Sequence, residues 1–222
     1  MLSWLGRFLS SSIGKKSLMA LTGLSLVGFL VAHLLGNLTL FAGNDAFNEY
    51  AQKLEDLGPL LMVAEVGLLV LFMVHMGLAL RTSQENRQAR DSRYQMRGTH
   101  GKSTFASRTM LITGLIIGVF LVIHIIDFRI AKAMDSQSVA DLAVGVRNRL
   151  GSPIGAFIYL VGIAALGVHL RHAISSALQT LGANHPKYND LIRTVGIGLA
   201  GLLALGFAAF PIYLLATGGA QG

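Results

Sequence analysis

Apolar residues in this chain come in long unbroken runs, not at alternate positions or along one helical stripe. Runs near 17–42, 59–80, 108–131, 153–181 and 194–217 each reach the roughly 20 residues that a helix needs to cross a bilayer. The pattern predicts an all-α, polytopic bundle of five transmembrane helices, with residues 1–222 forming a single membrane domain. The first run is too long for the apolar core of a signal peptide and no clear small-residue cleavage site follows it, so it is expected to stay in the mature protein. The fourth run continues to about Gly182 and is expected to project beyond the headgroups after Arg171. No low-complexity linker and no persuasive internal repeat is read from the chain.

Composition narrows the class. With 53% hydrophobic and 13% charged residues, the chain is not built as a soluble domain. The absence of cysteine rules out a disulfide, a thiolate nucleophile, a cysteine-ligated iron–sulfur cluster and a covalently attached c-type haem. A net charge of +7 would suit nucleic acid, but there is no soluble domain on which to build a basic groove, and no nucleic-acid partner is expected.

Topology accounts for the charge. Segments 1–16, 81–108 and 171–193 share one side and carry Arg7, Lys15, Lys16, Arg81, Arg87, Arg90, Arg93, Arg97, Lys102, Arg108, Arg171, Lys187 and Arg193, against Glu85, Asp91 and Asp190. The opposite segments, 43–58 and 127–152, hold Lys53, Arg129, Lys132, Arg147 and Arg149 against Asp45, Glu49, Glu55, Asp56, Asp127, Asp135 and Asp141. The bias of basic residues places the N-terminus in the cytoplasm. Orientation alone explains the basic side; docking of a partner or of anionic lipid is a second use for it.

Four of the seven histidines lie inside the first four runs. His33, His75, His124 and His169 each stand sixteen residues after the expected start of their span (33−17, 75−59, 124−108, 169−153). Sixteen residues rise about 24 Å through a core about 30 Å thick. Because successive spans run in opposite directions, two layers about 18 Å apart are expected, His33 with His124 toward the outer face and His75 with His169 toward the cytoplasm. Two pairs of neutral imidazoles at different depths suit two b-type haems, each iron taking one imidazole from either side. A mononuclear zinc or copper site would need all four ligands at one level, and a proton channel would not need two pairs. The plainer alternative for any single intramembrane histidine is an interhelical hydrogen bond. His172, one turn beyond His169, is an alternative ligand, whereas His100 and His185 fall in basic loops and are expected to be solvated.

Other residues bear on the same site. Glu65 is the only carboxylate well inside a run; it is a candidate proton group for quinone chemistry, or else a neutral acid bonded to a neighbouring helix. Asp127 is expected to snorkel or cap near the interface. Gly155, Gly162, His169 and Ser176 recur at intervals of seven, and with Gly36, Gly114 and Gly118 they either leave room for a flat ring or serve close helix packing.

A resemblance is carried by Ser12-Ile13-Gly14-Lys15-Lys16, Leu21-Thr22-Gly23-Leu24, His33-Leu34-Leu35-Gly36-Asn37-Leu38 and Ala46-Phe47-Asn48-Glu49-Tyr50-Ala51. It continues through Phe120-Leu121-Val122-Ile123-His124, His169-Leu170-Arg171-His172, Ser176, Gln179-Thr180-Leu181-Gly182 and Asn184-His185-Pro186-Lys187-Tyr188. Over Ser10 to about Pro211 the chain resembles the cytochrome b558 family, the di-haem membrane anchors of succinate dehydrogenase, respiratory complex II. That resemblance implies two haem b groups, the distal one held by His33 and His124 and the proximal one by His75 and His169. It favours His169 over His172, because the ligand stands thirteen residues before the glycine that ends the span, here Gly182. It further implies a bacterial inner membrane, flavoprotein and iron–sulfur subunits on the cytoplasmic face, surrounding lipid, and menaquinone or ubiquinone as electron acceptor, with higher oligomers left open.

The expected activity is that of the quinone-reactive subunit of a succinate:quinone oxidoreductase. No succinate chemistry resides in this chain, which lacks a dinucleotide-binding fingerprint and cysteine clusters. A quinol:fumarate reductase anchor of the same architecture is the closest alternative. A haem-free transporter or anchor, with histidines serving packing or proton movement, is the alternative of a different class.

Overall fold

The computed structural model describes residues 2–88, 105–134 and 142–218, and among them every regular element is helical. In chain order these are α1 (Leu2–Ser10), α2 (Ser12–Asn37) with a 3₁₀ turn over Leu38–Ala42, α3 (Asn44–Glu55) and α4 (Pro59–Gln88). They are followed by α5 (Phe105–Ile125), a π-helical turn over Ile126–Ile130 and α6 (Ala131–Met134). The last are α7 (Leu142–Gly151), α8 (Pro153–Thr180) and α9 (Asn189–Ala216).

Five of these helices, α2, α4, α5, α8 and α9, are long and apolar enough to cross a membrane, as the pattern predicted. Several of their ends lie beyond the expected edges. α2 begins at Ser12 and α4 continues to Gln88, because hydropathy marks the edge of the hydrocarbon whereas a helix continues through any residues able to form it. The polar turn at the end of α4 is supported by Arg81 pairing with Glu85 at 3.1 Å, four residues on. Chain breaks are chemically explicit. Ser11 caps α2 by accepting from Gly14 N at 3.0 Å, and Ser152, ahead of Pro153, caps α8 by accepting from Gly155 N at 3.1 Å. Gly182, at φ 101°, ends the turn after α8.

Three short helices, α1, α3 and α7, were not anticipated, since none holds an apolar run of spanning length. α3 and α7 form a lid over the side opposite the N-terminus. Asn48 accepts from Ala143 N at 3.0 Å, and Arg147 donates to the Asn44 amide oxygen at 2.5 Å and the Leu40 carbonyl at 3.1 Å.

α2, α4, α5 and α8 make a four-helix square. α2 packs on α4, α5 packs on α8 and α8 closes back on α2, while α4 and α5 touch only sparsely. α2 and α5 thus face each other along one diagonal, and α4 and α8 along the other. α9 lies outside the square against α8 and supplies Ala200, Leu203, Phe210 and Leu214 to the core. α4 buries no residue fully, leaving an apolar outer surface suited to lipid.

Glycine lets these helices approach. A β-carbon on Gly162 would sit 2.4 Å from the Phe120 ring, one on Gly36 2.4 Å from the Tyr50 hydroxyl, and one on Gly155 1.8 Å from the Arg149 carbonyl. At these three glycines the space a side chain would take is filled by Phe120, Tyr50 and the Arg149 carbonyl, which is the close-packing and capping use. Gly162→Leu is expected to destabilise the α5–α8 contact by about 1–3 kcal/mol, read as a lower thermal unfolding midpoint in detergent. Gly198→Ala, where nothing lies within 4 Å of the new carbon, is expected not to destabilise.

Candidate functional site

The square's two diagonals carry the four histidines as two pairs at two levels. On the side where the chain begins, the near side, are His75 of α4 and His169 of α8. The Nδ1 atom of His75 lies 3.0 Å from the Met19 carbonyl and 3.3 Å from the Thr22 hydroxyl of α2. His169 is placed similarly on α5, its ring held by the Met110 backbone and its Nδ1 3.2 Å from the Thr113 hydroxyl. A carbonyl only accepts, so Nδ1 of His75 carries the proton and donates. That assignment leaves Nε2 of His75 with a free lone pair, the form in which imidazole binds a metal.

The two seats are the same local sequence used twice. Met19-Ala20-Leu21-Thr22-Gly23 precedes His33 on α2, and Met110-Leu111-Ile112-Thr113-Gly114 precedes His124 on α5. Each threonine hydroxyl donates back to its own helix, to Leu18 at 2.9 Å and to Thr109 at 3.0 Å, so its lone pairs remain for the histidine. Each glycine faces the seated ring: a β-carbon on Gly23 would lie 3.0 Å from His75 Cε1, and one on Gly114 3.6 Å from His169 Cε1. This short shared pattern was not read from the sequence. Its signal, Met-x-x-Thr-Gly followed ten residues after the glycine by histidine, was present but too brief to stand out from an apolar background.

The far-side pair is His33 of α2 and His124 of α5, whose ring centroids are 5.7 Å apart at 90°. Thr22 and His33, like Thr113 and His124, are eleven residues apart, so the levels are separated by about 17 Å along the helices. His33 stacks on Phe29 at 5.3 Å, and the Asn37 amide nitrogen reaches its ring at 3.4 Å while donating to the His33 carbonyl at 2.7 Å. His124 is walled by Phe120, Phe128 and Tyr159. The Tyr159 hydroxyl lies 3.4 Å from His124 Nδ1 and donates to Asp127 Oδ2 at 3.0 Å, and Arg149 Nε donates to the same oxygen at 2.7 Å.

Asp127, expected to snorkel or cap, instead accepts from two side chains of the chain. It is a well-shielded acceptor joining α8 to the end of α7, and the π-helical turn that holds it follows α5 two residues after His124. Glu65 forms a two-point pair with Arg129 of the same turn, at 2.8 Å and 3.0 Å, an ion pair that neither role read from sequence included. His172 is half-buried, and its carbonyl accepts from Ser175 at 3.2 Å. His185 is exposed, accepts from Lys187 N at 3.2 Å and lies against Tyr188. His100, Arg90, Asp91, Arg93, Arg97, Lys102, Asp135 and Asp141 lie outside the described residues. Among the described residues no three histidine, aspartate or glutamate side chains gather about one point.

Charge is handled differently at the two ends. On the far side Lys53, Arg129, Lys132 and Arg149 each pair with a carboxylate. On the near side buried Lys15 pairs with Glu85, which also binds Arg81. Arg7, Lys16, Arg108, Arg171 and Arg193 have no carboxylate partner among the described residues.

Comparison with protein-family models, curated proteins and solved structures gives no match for this chain.

His75 is expected as the Nδ1–H tautomer in ¹⁵N spectra of histidine-labelled protein in bilayers. Thr22→Val and Thr113→Val should each weaken one seat by about 1 kcal/mol and alter the signal of His75 and His169 respectively, leaving the other ring unchanged.

Proposed function

We propose that this chain is a di-haem cytochrome b membrane anchor, carrying electrons from an iron–sulfur subunit of succinate dehydrogenase to quinone. One observation carries the reading: four imidazoles stand as two cross-diagonal pairs at two levels of one apolar square, and each near-side ring lies against a threonine hydroxyl of the helix beside it. The resemblance to the cytochrome b558 family supports it independently.

The donor set suits haem b. Neutral imidazole is a common axial ligand for haem iron, cysteine is not needed, and the walls of Phe29, Phe120, Phe128 and Phe207 suit an apolar macrocycle. His33 and His124 would hold the distal group and His75 and His169 the proximal one. The seat at Thr113 favours His169 over His172. Bound haem supplies reversible one-electron transfer. Thr22, Thr113, Met19 and Met110 hold the near-side rings, Gly23 and Gly114 leave those rings room, and α9 shields the far-side pair through Phe207.

Glu65 remains the proposed proton group for quinone chemistry, with the Arg129 guanidinium beside it as a hydrogen-bond donor. The basic near side, rich in cations without partners, suits a cytoplasmic face docked by the flavoprotein and iron–sulfur subunits in a bacterial inner membrane.

Reduced-minus-oxidised visible spectra of the purified complex are expected to show b-type bands with roughly two haems per chain; an intact complex without them excludes the reading. His33→Ala and His124→Ala should remove one haem, and His75→Ala and His169→Ala the other. Loss of the same haem from His33 and His75 variants would overturn the pairing. Glu65→Gln is expected to slow quinone turnover while haem content stays near two, and unchanged quinone kinetics would remove Glu65 from the site. Rates of succinate oxidation and fumarate reduction with defined quinones establish the direction of flow.

A further inference from the structure

The two pairs of histidines differ in what holds them. His75 and His169 lie against neutral groups of a neighbouring helix, the backbone beside a threonine hydroxyl. The Nδ1 of His124 faces the Tyr159 hydroxyl at 3.4 Å, and that hydroxyl donates onward to Asp127 at 3.0 Å. Since the Tyr159 proton is committed to the carboxylate, its oxygen is left to accept from His124 Nδ1–H. The chain His124, Tyr159, Asp127 thus ends on a negative charge, whereas the near-side chains end on neutral dipoles.

This line is built, not incidental. Tyr159 is buried, its ring fixed edge-on by Phe120 at 5.1 Å and Phe128 at 5.9 Å. Arg149 donates to the same Asp127 oxygen at 2.7 Å and orients it. The other charged pair of the π-helical turn, Arg129 with Glu65, points to α4. His33 has a neutral neighbour, Asn37.

We propose that Tyr159 and Asp127 are positioning residues that make His124 the most strongly electron-donating of the four imidazoles and so lower the reduction potential of the far-side centre. The inference rests on the haem reading above. A carboxylate acting on a ligand's outer nitrogen raises the basicity of the inner one, and a more basic ligand stabilises the oxidised metal. Arg149, by sharing the carboxylate, moderates the effect.

Potentiometric titration of the b bands in the full complex, with low-spin electron paramagnetic resonance, tests it. Tyr159→Phe keeps the ring and removes the hydroxyl; Asp127→Asn keeps the size and removes the charge. Both are expected to raise the potential of the centre that His124→Ala abolishes and to move its resonance signature, with the other centre and the haem content unchanged. Because both act on one line, the double variant should shift no further than the larger single shift. Arg149→Gln is expected to move the same potential downward, a sign that general loosening does not produce. Unchanged potentials at full haem content, a shift at the near-side centre, or loss of the far-side haem in all three variants would overturn the inference and mark the line as a structural tie. A wild-type complex without b bands would instead overturn the haem reading.

Discussion

A buried imidazole must give its N–H to an acceptor, and inside an apolar helix bundle few acceptors exist, because helix carbonyls are already engaged by their own ladder. This constraint organises the square. Where His75 and His169 enter, α2 and α5 each present a backbone group with a threonine hydroxyl beside it and a glycine that makes space for the ring. Where His124 enters, a tyrosine and a carboxylate do the same work. The register of α4 against α2 and of α8 against α5 follows from these seats, since a shift of one residue on either helix would leave a buried donor without a partner, which costs about 1–3 kcal/mol.

The same requirement explains the asymmetry between the two ends. The near-side seats use backbone and hydroxyl groups, whose charge does not change with their surroundings. The far side instead draws on Asp127, Arg149, Glu65 and Arg129, in ion pairs that also bind the π-helical turn to α4 and to the lid. Among the described residues most far-side cations pair with carboxylates of the chain, while several near-side cations do not. Such a division concentrates internal electrostatics around the His33–His124 pair and external electrostatics on the opposite surface.

Much of the fold was legible because hydrocarbon imposes length and composition on anything that crosses it. The five spans, and the alternation that sorts the histidines into two levels, follow from counting residues. α1, α3 and α7 escaped that counting: their stability comes from caps, a lid of side-chain bonds and packing onto the bundle, none of which leaves an apolar run. The partners of Asp127 were missed for a related reason. Three residues after His124 at the end of a span, it has the pattern of an interfacial residue, and only the approach of Tyr159 from α8 and Arg149 from the end of α7 makes it an acceptor.

The sequence by itself determined how many helices are long and apolar enough to span, their order, which ones carry histidine and how far along each it stands, and the exclusion of cysteine chemistry. These are properties of single segments in an apolar solvent and need no knowledge of neighbours. Tertiary structure alone decided that α2 faces α5 and α4 faces α8, that Thr22 and Thr113 seat His75 and His169, that Glu65 meets Arg129, and that Gly162 yields to Phe120. Each of these joins residues dozens of positions apart, on helices whose rotation is set by side-chain packing and hydrogen bonding, and hydropathy carries no record of rotation.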